Sequence, residues 1–398
     1  MFFRHKYKRM DSDIALIKHH GIFRRRLTLF QAVAMIVSIT VGAGVLGIPY
    51  VVAKVGLAVG ISYIVGLGLL MMFLNLLVGE ICARTKSSLQ LVGLARKYLG
   101  KTGGFIMTFL VYLMSFGILV VYIICEGETL TALFGGDPFY WSLLFFAVGS
   151  ILILVGMKTI KTVEFFLSLA ILFIVILIAG LSAPHIELPN IIYSNLAYLL
   201  LPYGVILFAF TGSNAIPEVH ALLKKRDTDF KKAIIIAGLI SIVVYVMFAF
   251  AVVGVTGAET TEIATIGLGN KLGKSMLLFG NVFALLAMGT SFLMVGLSVK
   301  DSMRWDYKIP DALAAFIVSI VPLVIFMLGL RNFIKAIDIV GGVFVSLEMM
   351  LLVLVYWRAK QLGDLKKSKY RLHHALLLSI PLLLALAIGA VYSVMKLF

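Results

Sequence analysis

The chain is poor in most of what a water-soluble protein is built from. Only 14% of its 398 residues are charged, and 19 acids face 35 lysines and arginines. Two cysteines, Cys82 and Cys125, make no disulfide framework, and they fit a reducing or merely cysteine-poor setting. No HExxH, GxSxG or paired-carboxylate pattern falls inside an apolar run, so nothing supports an enzyme. His19-His20 and His373-His374 stand in basic segments without further ligand residues, which argues against a metal centre. Residues 1–26 are basic and polar, with no cleavable signal pattern before the first apolar run.

Apolar sequence is what the chain has in excess: 61% of it is hydrophobic, and the mean hydropathy is +1.07. No soluble core is large enough for that, so lipid must be the solvent for much of the chain. Eleven apolar runs can be marked, at about 29–55, 57–79, 104–125, 139–157, 162–181, 195–221, 231–254, 273–299, 311–328, 334–356 and 373–397. If the N-terminus is cytoplasmic, 29 lysines and arginines fall inside and 6 outside. That asymmetry is the positive-inside rule, and it predicts N-in and C-out in the cell membrane. The formal charge of +16 is therefore a topology signal that also favours anionic lipid, and it does not point to nucleic acid. Between runs, residues 82–103 carry Leu89, Val92, Leu94 and Leu99 at helical spacing, as in an amphipathic helix on the inner surface.

Two runs are interrupted. The first reads Ser38-Ile39-Thr40-Val41-Gly42-Ala43-Gly44-Val45-Leu46-Gly47-Ile48-Pro49. Inside a helix each glycine costs about 1 kcal/mol and a proline about 3. In hydrocarbon an unpaired backbone group costs several kcal/mol more, so a break survives only where protein or a wet cavity covers it. The sixth run repeats the pattern: Phe208-Ala209-Phe210-Thr211-Gly212-Ser213-Asn214-Ala215-Ile216-Pro217-Glu218. Gly44 stands five residues before Pro49, and Gly212 five before Pro217. The chain thus divides into a basic tail (1–28), five spans (29–181), five more (195–356) and a last, peripheral span (373–397). Five is odd, so the second unit enters the membrane inverted, as in transporters built from inverted repeats with broken helices. The expected fold is all-α and polytopic, with spans 1 and 6 interrupted at the midplane.

Each break sets a half-helix C-terminus, partly negative, beside a half-helix N-terminus, partly positive. Converging N-termini bind an anion and converging C-termini a cation. A zwitterion meets both, and neither break has Arg, Lys or Asp beside it. An α-amino acid is the common metabolite of that form.

The stretch Gly42 to Pro49, continuing through Ala53, Gly56 and Gly60, resembles the first span of the amino acid/auxin permease family. That family lies in the amino acid–polyamine–organocation superfamily, which has the LeuT-type fold. Phe208 to Val219 is similar to its sixth span, and eleven spans is its number. The resemblance implies amino acid import by alternating access in a protein expected to be monomeric. It implies substrate on the backbone of Val41, Gly42, Ala43 and Gly44 and of Thr211, Gly212 and Ser213. Phe208 or Phe210 would close over it, with Tyr112 or Ser115 of the third span opposite.

The resemblance also implies a sodium site between spans 1 and 8. Ala287, Thr290 and Ser291 stand at the matching spacing on span 8, and carbonyls of Ser38 and Val41 would complete a hard-oxygen shell. No resident cofactor is expected, and sodium would be a coupling ion. Proton coupling is the alternative, with Glu218, His220 and Glu348 as intramembrane candidates. A channel also uses broken spans, but no polar stripe runs the length of any run.

Overall fold

The computed structural model describes residues 28–42, 44–87, 89–155, 170, 173–223, 227–365, 370–372 and 375–396, without the side chains of Asp227, Phe283, Ala287, Thr290, Trp305 and Asp306. Ala43 and the two histidine pairs lie outside the described residues. The described chain is helical, with no strand and one isolated bridge between Gly56 and Ser194.

The first span is two helices, α1 (Leu29–Thr40) and α2 (Gly44–Val55), bent 61° apart across the break. Thr28 opens α1 with a reciprocal cap, its hydroxyl accepting from Gln31 N–H while the Gln31 side chain accepts from Thr28 N–H. The turn into α3 (Leu57–Arg84) passes through Gly56 at φ 98°, packed directly on the Ser194 backbone, where any side chain would be strained and would clash.

Next come α4 (Leu91–Phe134), α5 (Pro138–Val155) and α6 (Phe173–His185). Helix α4 joins the expected surface helix to the third span at Gly100, whose φ of 76° marks the bend. The surface helix differs from expectation in two ways. It starts only at Leu91, because α3 runs on to Arg84, and its buried stripe is Leu91, Leu94, Ala95 and Tyr98. Protein covers that stripe, so Leu89, Val92 and Leu99 are only half-buried at its margins.

The sixth span is also two helices, α7 (Pro202–Ala209) and α8 (Ala215–Leu222). Then follow α9 (Asp227–Thr256), α10 (Ala264–Leu272), α11 (Lys274–Asp306) and α12 (Asp311–Met327). The segment 255–272 is no simple loop, since α10 buries Ala264, Thr265 and Leu268 against the bundle. The tenth span starts as α13 (Phe333–Ile339), widens to a π turn at Val340–Val345, and continues as α14 (Ser346–Leu362). The last helix, α15 (Ala375–Met395), packs on the bundle along one side, where Gly342 lies against Ser393 and Tyr203 of α7 sits on Gly389, and exposes most of its length. Seven described helices are long and apolar enough to cross a membrane, and the bent α1–α2 pair is an eighth candidate.

The two broken spans pack on each other, α1 beside α8 and α2 beside α7, with α9 against both halves of the first. At the end expected to be cytoplasmic, a polar cluster ties spans together. Glu80, fully buried, accepts from Arg84 Nε at 2.8 Å, Tyr356 Oη at 3.0 Å and Leu372 N at 3.1 Å, while Lys360 donates to Tyr356 Oη at 2.9 Å.

Candidate substrate site at the paired helix breaks

Helix α1 ends because Val41 leaves helical geometry at ψ 86°, its N–H still held by Val37 O at 2.7 Å. Helix α7 ends at Phe210, whose N–H reaches Ile206 O at 3.1 Å. Both prolines fall after the breaks, inside the returning helices. Pro217 is the third residue of α8, in the first turn, where its missing N–H costs nothing. The Ser213 carbonyl, left without its usual donor by Pro217, accepts from Ile216 N–H at 3.2 Å. Pro49 is the sixth residue of α2. Glycine and small residues therefore open these breaks, and the prolines only bias the next turn.

The glycines divide by role. A Cβ on Gly44 would lie 2.7 Å from Ala209 Cα and 3.1 Å from Phe208 Cδ1, so Gly44 is the contact of α2 on α7. Gly212 packs on Thr40 in the same way. A Cβ on Gly42 would meet nothing within 4 Å. Gly42 thus faces open space, while Gly44 and Gly212 bring the two spans together. The predicted backbone residues Val41, Gly42, Gly44, Thr211, Gly212 and Ser213 all belong to this junction. The buried Ser213 hydroxyl has no hydrogen-bond partner, and Thr211 Oγ1 donates to Leu207 O at 3.2 Å.

The phenylalanines part company. Phe208 packs on Gly44 and on Gly341 of the π turn. Phe210 turns the other way, its ring 4.8 Å from that of Tyr245 and its tip on Gly68 of α3. Tyr112 is not at the breaks. Its hydroxyl is 2.8 Å from Ser302 Oγ, eleven residues past Ser291 on α11, or about 16 Å along that helix. Spacing alone left its depth on α4 undefined. Ser115 donates to Val111 O of its own helix at 2.8 Å.

The two walls of the implied sodium site pack mainly on other helices. Helix α1 rests on α9 and α8, whereas α11 rests on α4, α10, α12 and α5. The Ser38 hydroxyl is buried without a hydrogen-bond partner and Ser291 is half-buried, while the side chains of Ala287 and Thr290 lie outside the description. Among the proton candidates, Glu348 is 1% exposed, and neither of its carboxylate oxygens has a hydrogen-bond partner. Glu218 is instead exposed and accepts from Gln90 Nε2 at 3.4 Å, while its neighbours Pro217 and Val219 face the bundle. His220 leans on Phe230, centroids 5.0 Å apart.

Sequence reading missed two groups. Glu126, the residue after the third apolar run, is fully buried beside Gly289 of α11, and neither carboxylate oxygen has a hydrogen-bond partner. Its only signal was an acid at the edge of an apolar run. Tyr245 of α9 donates from one hydroxyl to Thr40 O at 2.9 Å and Ala209 O at 2.7 Å, the last carbonyls of α1 and α7. A tyrosine in an apolar run carries no signal at all.

Residues 25–394 match the model of the tryptophan/tyrosine permease family. The chain belongs to that family. The expected kinship with amino acid permeases of the amino acid–polyamine–organocation superfamily is thereby borne out, and the protein is a permease, not an enzyme. Curated relatives include tyrosine-specific transport system 1 of Haemophilus influenzae, 24% identical, with 81% of this chain and 86% of the relative aligned. Glutamine transporter 2 of Aliivibrio fischeri is also 24% identical, over 85% and 92% of the two chains. Among solved structures, MhsT in complex with L-phenylalanine superposes with a TM-score of 0.66 over 92% of this chain and 99% of its own, at 14% identity. The inward-facing conformation of Mhp1 gives 0.63, over 94% and 90%, also at 14%. These likenesses show the LeuT-type fold for this permease. It is an integral membrane protein and a transporter of amino acids.

Proposed function

We propose that this permease imports a neutral α-amino acid by alternating access, driven by a cation gradient, with the zwitterion held between the two helix breaks. The supporting observation is the junction itself: two spans interrupted at one place, joined through Gly44 and Gly212, with free space at Gly42. In the LeuT-type arrangement the α1 and α7 ends supply carbonyls for an ammonium, and the α2 and α8 starts supply N–H groups for a carboxylate. No charged side chain stands in either break, which favours a neutral side chain on the substrate. Tyrosine, tryptophan and glutamine head the panel, since the family's name includes tryptophan and tyrosine and the relatives' names tyrosine and glutamine. The protein acts as a monomer in the cell membrane, N-terminus inside and C-terminus outside.

Sodium is the first reading for the driving ion, on the neutral oxygens of Ser38, Val41, Ala287, Thr290 and Ser291. A proton is the second, favoured by the partnerless Glu348 carboxyl. Uptake of labelled amino acids into proteoliposomes tests both, with sodium and proton gradients imposed separately. Accumulation above equilibrium under one gradient is the expected result. No saturable uptake under either gradient would refute the proposal.

A further inference from the structure

Tyr245 joins the two breaks from outside both. Its side chain is fully buried on α9, fixed by Phe210 with ring centroids 4.8 Å apart. Its hydroxyl lies 2.9 Å from Thr40 O and 2.7 Å from Ala209 O. Thr40 O also accepts the Gly42 N–H at 3.1 Å. A phenol has one proton, here shared between two carbonyls, and keeps lone pairs of its own. Each half-helix C-terminus carries roughly half a negative charge, so their meeting point attracts positive groups. A substrate ammonium satisfies these carbonyls while it is bound. When it leaves, the carbonyls of Thr40 and Ala209, both buried residues, need another donor.

We propose that the Tyr245 hydroxyl is that donor: a tethered, neutral stand-in for the ammonium, which lets the unloaded permease return to collect its next substrate. This inference rests on the amino acid reading above. It separates two activities. Net uptake requires the unloaded return, whereas exchange of internal for external amino acid uses only loaded states.

The test is Tyr245→Phe in proteoliposomes, with wild type beside it. Net uptake should fall by about tenfold or more while exchange stays within about twofold of wild type. Equal loss of both, in protein that is monodisperse after purification, would reduce Tyr245 to a structural cross-link and overturn the inference, and so would unchanged net uptake. Should the phenylalanine variant fail to fold, 4-aminophenylalanine at position 245, which keeps N–H donors, carries the test. Net uptake near wild type supports the proposal, and exchange without net uptake overturns it. A wild type that neither exchanges nor accumulates any amino acid would instead refute the substrate reading, so the two failures are distinguishable.

Discussion

Single residues separate the two uses of glycine in this protein. Gly42 and Gly44 look alike in sequence, yet a side chain at 42 would enter open space and one at 44 would strike the Ala209 backbone. Gly42→Val should therefore leave the protein folded and inserted while raising the concentration for half-maximal uptake by about tenfold, measured alongside thermal stability in detergent. Gly44→Ala should lower thermal stability as well as uptake, since α2 must move off α7. Equal stability in the two variants would contradict this division. The same scale shows the limit of sequence reading. The Ser38–Pro49 and Phe208–Pro217 stretches announce interrupted helices, because closely spaced glycines and small residues followed by a proline weaken a helix in hydrocarbon. Which way each glycine faces, and the fact that Tyr245 reaches both breaks, depend on packing between spans far apart in the chain.

At the scale of elements, the polar ties at the expected cytoplasmic end hold α3, α14 and the segment before α15 together. Glu80 is the shared acceptor, and losing its charge would leave Arg84 facing a neutral partner in a buried site. Glu80→Gln should destabilise the protein by about 3 kcal/mol, read as a lower melting temperature. A nearby tie is more exposed. Lys97 pairs with Asp364, and that bond, helped by Lys86 N–H at 3.0 Å, holds the Asp364 carboxyl below the usual carboxylate range. A lowered carboxylate stabilises the folded form above its unfolded value near 4, and the effect is lost as pH falls through the folded value. Hydrogen-exchange protection around Asp364, taken relative to the intrinsic rate at each pH, should therefore fall below about pH 4, and Asp364→Asn should remove that pH dependence. Sequence marked the helices but not these ties. It also set the surface helix stripe at Leu89, Val92, Leu94 and Leu99, of which only Leu94 is buried, beside Leu91, Ala95 and Tyr98.

For the whole molecule, the membrane-embedded all-helical fold with paired breaks was legible from hydropathy and from two short motifs. The coupling ion was not, since the proposed sodium ligands are hydroxyls and carbonyls, groups that every such span carries. Replacing Thr290 and Ser291 together by Ala should abolish any stimulation by sodium while amino acid exchange persists. Unchanged stimulation would place the sodium elsewhere, and a wild type that sodium does not stimulate would move the drive to a proton and to Glu348. The central claim is that a zwitterion is held at both its ends by backbone dipoles of the two breaks. Competition binding against a labelled transported amino acid, with analogues lacking only the ammonium or only the carboxylate, tests it most directly. Each analogue should bind at least about tenfold more weakly than the amino acid, as expected for losing one charge-assisted set of hydrogen bonds. An analogue missing either charged end that competes as well as the amino acid would contradict the account.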